Sequence, residues 1–180
     1  MIAKNNKPKI DFSNINHLIL DVDGVLTDGT LFFSSNGDEI KGFNVQDGHG
    51  IKLWMRAGNS VAIITGRQSS VVSHRCSDLG IETVYQNAKN KIEALNEYIS
   101  TNNVNPLEIC YIGDELVDIP VFRKVGLAVA VANAVPEAFD YADFITEKSG
   151  GEGAVREAID FLLKQKGQWD SVTNRYLAVP

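Results

Sequence analysis

Short apolar runs alternate with segments of helical periodicity through most of this chain, and this alternation constrains the fold more than any other feature. The predicted strands are residues 17–22, 60–64, 82–85, 108–112, 127–131 and 143–145. The predicted helices are residues 47–57, 69–79, 89–101, 119–125, 136–141 and 153–164. Because strands joined through helices form parallel sheets covered on both faces, the sequence predicts a Rossmann-like α/β fold with a central, mostly parallel sheet.

The length of the chain favours one domain with a proper core, since it has 180 residues. The turn dipeptide Asn36-Gly37 lies between two short apolar segments and predicts a protruding β-hairpin at about residues 30–44. We therefore expect a flexible N-terminal arm at residues 1–15, a single domain at residues 16–164 and a C-terminal tail at residues 165–180.

Charge and cysteine usage exclude several classes of protein. The net charge of −6 argues against non-specific binding of nucleic acid through its phosphates. Cys76 and Cys110 have no CxxC spacing, which argues against a disulfide scaffold or a structural zinc site and suits a reducing cytoplasm. The N-terminus lacks the apolar core of a signal peptide, and no apolar run approaches the length of a membrane span. We expect a cytoplasmic protein with no membrane partner.

Polar side chains follow the predicted strands at the point where each strand ends. In open α/β sheets, ligands bind beyond the carboxyl ends of the strands. The residues that this rule brings to one edge are Asp21 and Asp23 after the first strand, Thr65, Gly66 and Arg67 after the second, and Asp114, Glu115 and Asp118 after the fourth.

Two of these aspartates, Asp21 and Asp23, are separated by one residue and face the same side of an extended segment. Their like charges would raise the pKa of one of them unless a cation neutralised the pair. Asp114 offers a third oxygen ligand, and oxygen ligands without a nearby histidine or cysteine suit Mg²⁺. The plainer interpretation is a polar turn that ends the strand.

An anion site is also predicted at this edge. Thr65 and Gly66 are predicted to cap the next helix. The Thr65 hydroxyl and the adjacent backbone N–H groups would bind an anion with help from the helix dipole. Lys91 lies near the start of another helix and could add a positive charge. Together these groups would supply a metal, a carboxylate nucleophile, a second carboxylate for proton transfer and a phosphate site.

The ordered motifs LILDVDGVLT, AIITGR, Lys91 and YIGDELVD resemble those of haloacid dehalogenase-type phosphohydrolases. The resemblance implies that Asp21 is the nucleophile that forms an aspartyl phosphate. It implies that Asp23 protonates the leaving alcohol and then activates water. It also implies that Asp21, the backbone carbonyl of Asp23 and Asp114 bind Mg²⁺.

The resemblance assigns the remaining residues of these motifs to phosphate binding and to support. Thr65, with Gly66, and Lys91 would bind phosphate, and Asp118 would orient Lys91 or a metal-bound water. Glu115 departs from the aspartate that is frequent in close relatives, and its longer side chain could shift a metal-bound water.

Neither interval between the motifs is long enough for the cap domain that covers most such sites. The first holds one hairpin and one helix, and the second holds one helix and one short strand. The segments SNGDEIKGFNVQDGHGIK, TGRQSSVVSHRCSDLGI and GGEGAVREAIDFLL resemble the capless branch that acts on 3-deoxy-D-manno-octulosonate 8-phosphate. That resemblance implies a phosphorylated sugar-acid substrate and a homotetramer, in which a neighbouring subunit covers the site.

Arg67 and Arg75 resemble residues near the substrate pocket of this branch, and arginine binds a carboxylate through two parallel hydrogen bonds. Arg75 could equally be a solvated charge on its helix. Asp47 and Gly48 could cap a helix or line the site, and Gln46 departs from an arginine common in relatives.

Two alternatives remain at this level. The first is a phosphatase for a nine-carbon nonulosonate 9-phosphate, because the pocket differs in few residues. The second is a non-catalytic partner of a cytidylyltransferase with the same fold. Retention of the carboxylates and the lysine speaks against the second alternative.

Overall fold

The computed structural model describes residues 1–3 and 10–177. The strands are β1 (Ile2–Ala3), β2 (His17–Leu20), β3 (Phe32–Phe33), β4 (Glu39–Ile40), β5 (Ser60–Ile64), β6 (Thr83–Tyr85), β7 (Ile109–Gly113), β8 (Leu127–Ala130) and β9 (Phe144–Ile145). The helices are α1 (Val45–Arg56), α2 (Ser70–Leu79), α3 (Lys91–Asn102), α4 (Ile119–Phe122), α5 (Pro136–Phe139), α6 (Ala154–Gln165) and α7 (Trp169–Leu177). Short 3₁₀ turns occupy Phe12–Asn14, Pro106–Glu108 and Leu116–Asp118.

The main sheet has seven strands in the order β1-β9-β8-β7-β2-β5-β6. All neighbouring pairs run parallel except β1 and β9. Strands β7 and β8 are buried along their whole length, as expected for strands covered on both faces. The predicted α/β fold with a mostly parallel sheet is confirmed. From β2, the chain continues to β5 and β6 on one side and then crosses to β7, β8 and β9 on the other. Sheets of this type bind ligands at the point where the strand order reverses in this way.

Two groups of helices cover the sheet. Helix α1 packs against α6 and also contacts α7, while α3 packs against α4. Trp54, Tyr111 and Phe122 are the largest of the side chains that these layers bury completely. The longest helices have 12 residues, and none of the helices described is long and apolar enough to cross a membrane.

Parts of the expected N-terminal arm belong to the folded domain. Strand β1 pairs antiparallel with β9, and the Phe12 ring lies 5.4 Å from the Phe161 ring in an edge-to-face contact. Met1, Ile10 and Phe12 are partly buried against the core, and this apolar surface favours docking of an otherwise polar segment. Residues 4–9 of the expected arm lie outside the described residues.

The expected C-terminal tail also contains structure that the sequence pattern did not reveal. Helix α7 buries Val172 and Thr173, and the Nζ of Lys164 lies 4.8 Å from the centre of the Trp169 ring. Apolar residues at Trp169, Val172 and Tyr176 follow helical spacing, although polar residues separate them. Residues 178–180 lie outside the described residues.

The predicted hairpin is present as a separate sheet of β3 and β4. Phe32 pairs with Ile40 and Phe33 with Glu39, and Gly37 in the turn has φ +86°, which favours glycine. Between the first motif and Lys91, the structure shows this hairpin, α1, β5, α2 and β6, and no cap domain.

Candidate active site

The loop after β2 turns sharply and places two carboxylates at the carboxyl edge of the sheet. The carbonyl of Val22 accepts hydrogen bonds from the N–H groups of Leu26 and Thr27 at 2.9 and 3.0 Å. Asp21 is buried, and its Oδ1 accepts a hydrogen bond from the Val22 N–H at 2.6 Å. Gly24 has φ +87°, and a Cβ there would overlap the carboxylate of Asp114. The motif therefore needs glycine for both its backbone angle and its space.

Lys91 joins the first and last motifs. Its Nζ lies 2.6 Å from Asp21 Oδ2 and 2.6 Å from Asp118 Oδ1. Asp118 Oδ1 also accepts a hydrogen bond from the Tyr111 hydroxyl at 2.6 Å. The first position of α3 thus delivers a cation to the end of β2 in a fully buried setting, and the structure brings together the three charged groups that the sequence analysis placed here.

Asp118 also fixes the loop that follows β7. Its Oδ2 accepts hydrogen bonds from the N–H groups of Asp114 at 2.9 Å and Glu115 at 3.0 Å. The Glu115 side chain turns back on itself, because its Oε1 accepts a hydrogen bond from the Leu116 N–H at 2.7 Å. Glu115 therefore caps its own 3₁₀ turn in this structure.

Asp21, Asp114 and Asp118 offer oxygen atoms that all lie within 4.8 Å of one another. The oxygens of Asp118 already accept hydrogen bonds from Lys91, Tyr111 and two backbone N–H groups. By contrast, Asp114 Oδ1 is buried and has no hydrogen-bond partner among the described residues. Asp21 and Asp114 are thus the better candidates for metal ligands.

The electrostatics of the three aspartates favour a bound cation. Burial, followed by the charges of Asp21 and Asp118, raises the pKa of Asp114 to about 8. Burial also raises the pKa of Asp21 to about 6, although Lys91 opposes that rise. A divalent cation would stabilise the charged form of both carboxylates. The oxygen donors and the unpaired Asp114 oxygen fit a hard ion such as Mg²⁺.

Thr65 and Gly66 lie at the end of β5, next to the loop that follows β6. The Thr65 N–H donates to the Tyr85 carbonyl at 2.9 Å, and the Thr65 carbonyl accepts from the Ala88 N–H at 3.0 Å. The prediction that Thr65 and Gly66 cap the next helix is corrected here, because α2 begins at Ser70 with Ser69 as its N-cap. An anion at Thr65 would meet loop N–H groups instead of a helix terminus.

The hairpin contributes two charged residues that the sequence analysis did not identify. Lys41 forms an ion pair with Asp23 Oδ1, and its Nζ lies 3.2 Å from Glu39 Oε1. Arg67 Nη2 donates to Glu39 Oε1 at 3.0 Å, and Arg67 Nε lies 3.7 Å from Asp23 Oδ2. The available signal was the i, i+2 spacing of Glu39 and Lys41, which turns both side chains to one face of a strand.

The glycine-rich loop before α6 supports the first motif. The Gly151 N–H donates to the Val25 carbonyl at 3.0 Å, and the Gly150 N–H donates to Asn133 Oδ1 at 2.8 Å. A Cβ at Gly150 would overlap the carbonyl of Gly24. The glycines allow this close approach of two backbones, a role that no spacing in the sequence indicates.

Asp47 and Gly48 lie on α1 and Arg75 lies on α2, and these residues take part in contacts between helices. Asp47 is buried, and its Oδ1 accepts from the Arg156 N–H at 2.7 Å near the start of α6. Burial raises the pKa of Asp47. Arg75 Nη1 lies 3.3 Å from Asp78, and a Cβ at Gly48 would overlap the Arg75 guanidinium. Asp47 therefore accepts a hydrogen bond from the first turn of α6, while the N-cap of its own helix α1 is Asn44.

Comparison with known proteins agrees with this geometry. The family model for haloacid dehalogenase-like hydrolases matches residues 80–159. The chain is 48% identical over 157 residues to the 3-deoxy-D-manno-octulosonate 8-phosphate phosphatase of Escherichia coli K12, which covers 87% of this chain and 84% of that protein.

Solved structures show the same similarity. The phosphatase of that name from Yersinia pestis is 42% identical, with a TM-score of 0.87 over 88% of this chain and 86% of that one. The one from Moraxella catarrhalis, solved in complex with a magnesium ion, a phosphate ion and a KDO molecule, is 36% identical. Its TM-score is 0.89, and the match covers 92% of this chain and 95% of that one. The chain therefore belongs to the haloacid dehalogenase-like hydrolases and is a phosphatase.

Proposed function

We propose that this phosphatase hydrolyses 3-deoxy-D-manno-octulosonate 8-phosphate to the free sugar acid and inorganic phosphate, a reaction of lipopolysaccharide synthesis. The observation that carries the proposal is the 48% identity to the 3-deoxy-D-manno-octulosonate 8-phosphate phosphatase of Escherichia coli K12, over 87% of this chain. The proximity of buried Asp21 and Lys91 to half-buried Asp114 supports it. Cys76 and Cys110 are unpaired and buried, which suits the reducing cytoplasm where we place the reaction.

Asp21 and Asp114, with the backbone carbonyl of Asp23, would hold Mg²⁺. When bound, the ion would neutralise charge on the phosphoryl oxygens. An ammonium has three N–H donors, and Lys91 uses two of them on Asp21 and Asp118. The third is available for a phosphoryl oxygen, and the Thr65–Gly66 loop would bind another.

The chemistry would proceed in two displacements at phosphorus. An oxygen of Asp21 attacks, the bond from phosphorus to the sugar oxygen breaks, and Asp23 donates a proton to that oxygen. Asp23 then takes a proton from a water molecule, whose oxygen attacks the aspartyl phosphate. Inorganic phosphate leaves, and Asp21 returns to its carboxylate form.

Arg67 is our candidate for binding the substrate carboxylate. Its side chain is 45% exposed and lies beside Asp23, where it pairs with Glu39. Arg75 is less accessible, because Asp78 and the Phe43 ring hold its guanidinium. We therefore expect Arg67 to contribute more than Arg75 to recognition of a sugar acid.

A substrate panel tests the proposal directly. We would compare kcat/KM for the eight-carbon sugar-acid 8-phosphate, a nine-carbon nonulosonate 9-phosphate and glucose 6-phosphate, each with Mg²⁺ and with EDTA. We expect kcat/KM for the eight-carbon substrate to be about tenfold or more above the values for the others, because one well-placed pocket contact can give a difference of that size. Preference for the nine-carbon substrate would establish the alternative, and absence of turnover on every ester would favour a non-catalytic partner.

We further propose a homotetramer in which a neighbour covers the site. The support is the absence of a cap among the described residues and the exposed apolar face of the hairpin, where Phe32 and Ile40 are 53% and 57% exposed. The double variant Phe32→Ser/Ile40→Ser should give a smaller species by light scattering and a lower kcat/KM. A wild-type monomer with full activity would contradict this assembly.

A further inference from the structure

Lys41 is a buried cation on an element that is otherwise largely exposed. Its side chain is only 1% exposed, although Phe32, Phe33 and Ile40 on the same hairpin are all more than half exposed. Taking an ammonium out of water is costly unless opposite charges surround it. Lys41 meets two such charges, Asp23 and Glu39.

The two oxygens of Asp23 have different surroundings. Oδ1 receives the ion pair from Lys41, whereas Oδ2 is buried and has no hydrogen-bond partner among the described residues. The Nε of Arg67 lies 3.7 Å from Oδ2, which is beyond hydrogen-bond distance. Lys41 therefore holds the carboxylate at Oδ1, while Oδ2 is free to make a further hydrogen bond.

The hairpin is attached to the site at two points on one face. Glu39 and Lys41 are two residues apart and face Arg67 and Asp23, respectively, while Ile40 between them faces outward. The terminal torsion of an aspartate is broad and roughly two-fold, so the loop backbone alone does not fix the direction of its oxygens. The charge on the hairpin supplies the missing constraint.

We propose that Lys41 is a positioning residue for proton transfer: it holds Asp23 by Oδ1 so that Oδ2 faces the oxygen of the leaving group. Lys41 acts through Asp23 and needs no contact with the substrate. The proposal rests on the proposed function, because it takes Asp23 to be the group that protonates the leaving alcohol. It assigns the hairpin a part in the chemistry of its own subunit.

Two classes of phosphate ester separate this role from a structural one. An alkyl phosphate, such as the sugar-acid 8-phosphate, needs a proton on its leaving oxygen, whereas 4-nitrophenolate is stable enough to leave without one. The ratio kcat/KM reports only the steps through formation of the aspartyl phosphate. For Lys41→Met we expect kcat/KM to fall about 100-fold on the alkyl ester and less than about threefold on 4-nitrophenyl phosphate.

Two further variants complete the test. Lys41→Arg keeps the cation and should recover most of the activity on the alkyl ester. Lys52→Met removes a lysine whose Nζ donates to a carbonyl of α2 at 3.1 Å, outside the site, and should leave both activities unchanged. Thermal unfolding of each variant establishes that it is folded.

The outcomes distinguish this inference from the proposed function. Equal losses on both esters in Lys41→Met, or no loss on the alkyl ester, would overturn the positioning role while the phosphatase activity stands. If the eight-carbon ester is not a substrate, the comparison is made with the alkyl phosphate that the wild type hydrolyses best, and the positioning role is judged on that ester. A wild type that hydrolyses neither class would overturn both proposals.

Discussion

Each aspartate of the first motif pairs with a lysine, but the two lysines come from different parts of the molecule. Lys91 begins α3 and binds Asp21 within a network that includes Asp118 and Tyr111. Lys41 lies on the two-stranded hairpin and binds Asp23 beside Glu39. The first pair is built into the packed layers of the sheet and helices. The second depends on an element outside the main sheet.

This difference indicates that the two ion pairs contribute differently to stability and to turnover. Removing a partner from the buried pair leaves uncompensated charge in the core, which costs stability as well as activity. Removing Lys41 leaves carboxylates whose side chains are 21% and 14% exposed, so water can reach them. We expect the core pair to control folding and turnover together, and the hairpin pair to control turnover with only a small effect on stability.

The largest effect is expected for Asp21→Asn, which removes the nucleophile from the core pair. Because an amide oxygen cannot form the aspartyl phosphate, kcat should fall by about 10⁴-fold or more. Steady-state kinetics on the preferred ester would measure it. A variant that keeps a tenth of the wild-type rate would remove Asp21 from its assigned role.

The next effect separates the two lysines by stability. Lys91→Met leaves Asp21 and Asp118 buried together without their cation, and we expect a loss of about 3–5 kcal/mol in the free energy of unfolding. Lys41→Met should cost only about 1 kcal/mol. Denaturant unfolding without metal would give both values. Equal losses would show that the hairpin is as much a part of the folded core as α3.

Asp114→Asn tests the metal side of the core pair. Loss of one carboxylate ligand should raise the Mg²⁺ concentration needed for half-maximal activity by about 100-fold. The variant should still hydrolyse 4-nitrophenyl phosphate at saturating Mg²⁺. Asp140→Asn, an exposed residue that follows α5, is the matched control and should show the wild-type curve. An unchanged Mg²⁺ requirement in Asp114→Asn would exclude Asp114 as a ligand.

The smallest effect is a dependence of stability on pH. The pKa of Asp114 is raised to about 8 and that of Asp21 to about 6, whereas the ordinary value is 3.8. The folded, metal-free protein thus holds these protons more tightly than the unfolded chain. Their contribution to stability falls as the pH rises from about 4 to about 8. Mg²⁺ should therefore raise the Tm more at pH 8 than at pH 6.

A thermal unfolding series at both pH values, with EDTA and with Mg²⁺, would measure this effect. The Asp114→Asn variant should lose most of the difference between the two pH values, because it has no proton to release at that position. A Mg²⁺ shift that is larger at pH 6 than at pH 8 would contradict the direction of these pKa changes.

The sequence was most informative where local rules act on residues close together. Asp21, Thr65 and Asp114 follow apolar strands, and parallel strands bring their carboxyl ends to one edge. In the structure Asp21 and Asp114 lie together as that rule predicts, and Lys91 joins Asp21 from the start of α3. The same local rules failed at α7, where polar residues between Trp169, Val172 and Tyr176 concealed a helix that packs against α1 and α6.

Contacts between residues distant in sequence could not be predicted in this way. Lys41 reaches Asp23 only because the hairpin folds back over the first motif. Gly150 supports Gly24 across 126 positions of the chain. Asp47 had two possible roles until the packing of α1 against α6 placed its carboxylate on the Arg156 N–H. No periodicity encodes any of these distances.

The sequence by itself determined the sheet, the strand ends and the chemical groups at them, because apolar periodicity and strand direction are local properties of the chain. Only the tertiary structure decided how those groups are paired. Asp21 pairs with Lys91 of the core, and Asp23 pairs with Lys41 of the hairpin. Glu115 caps a 3₁₀ turn. The physical reason is that the charge of a buried carboxylate depends on which cations and donors surround it, and those come from segments far apart in the chain.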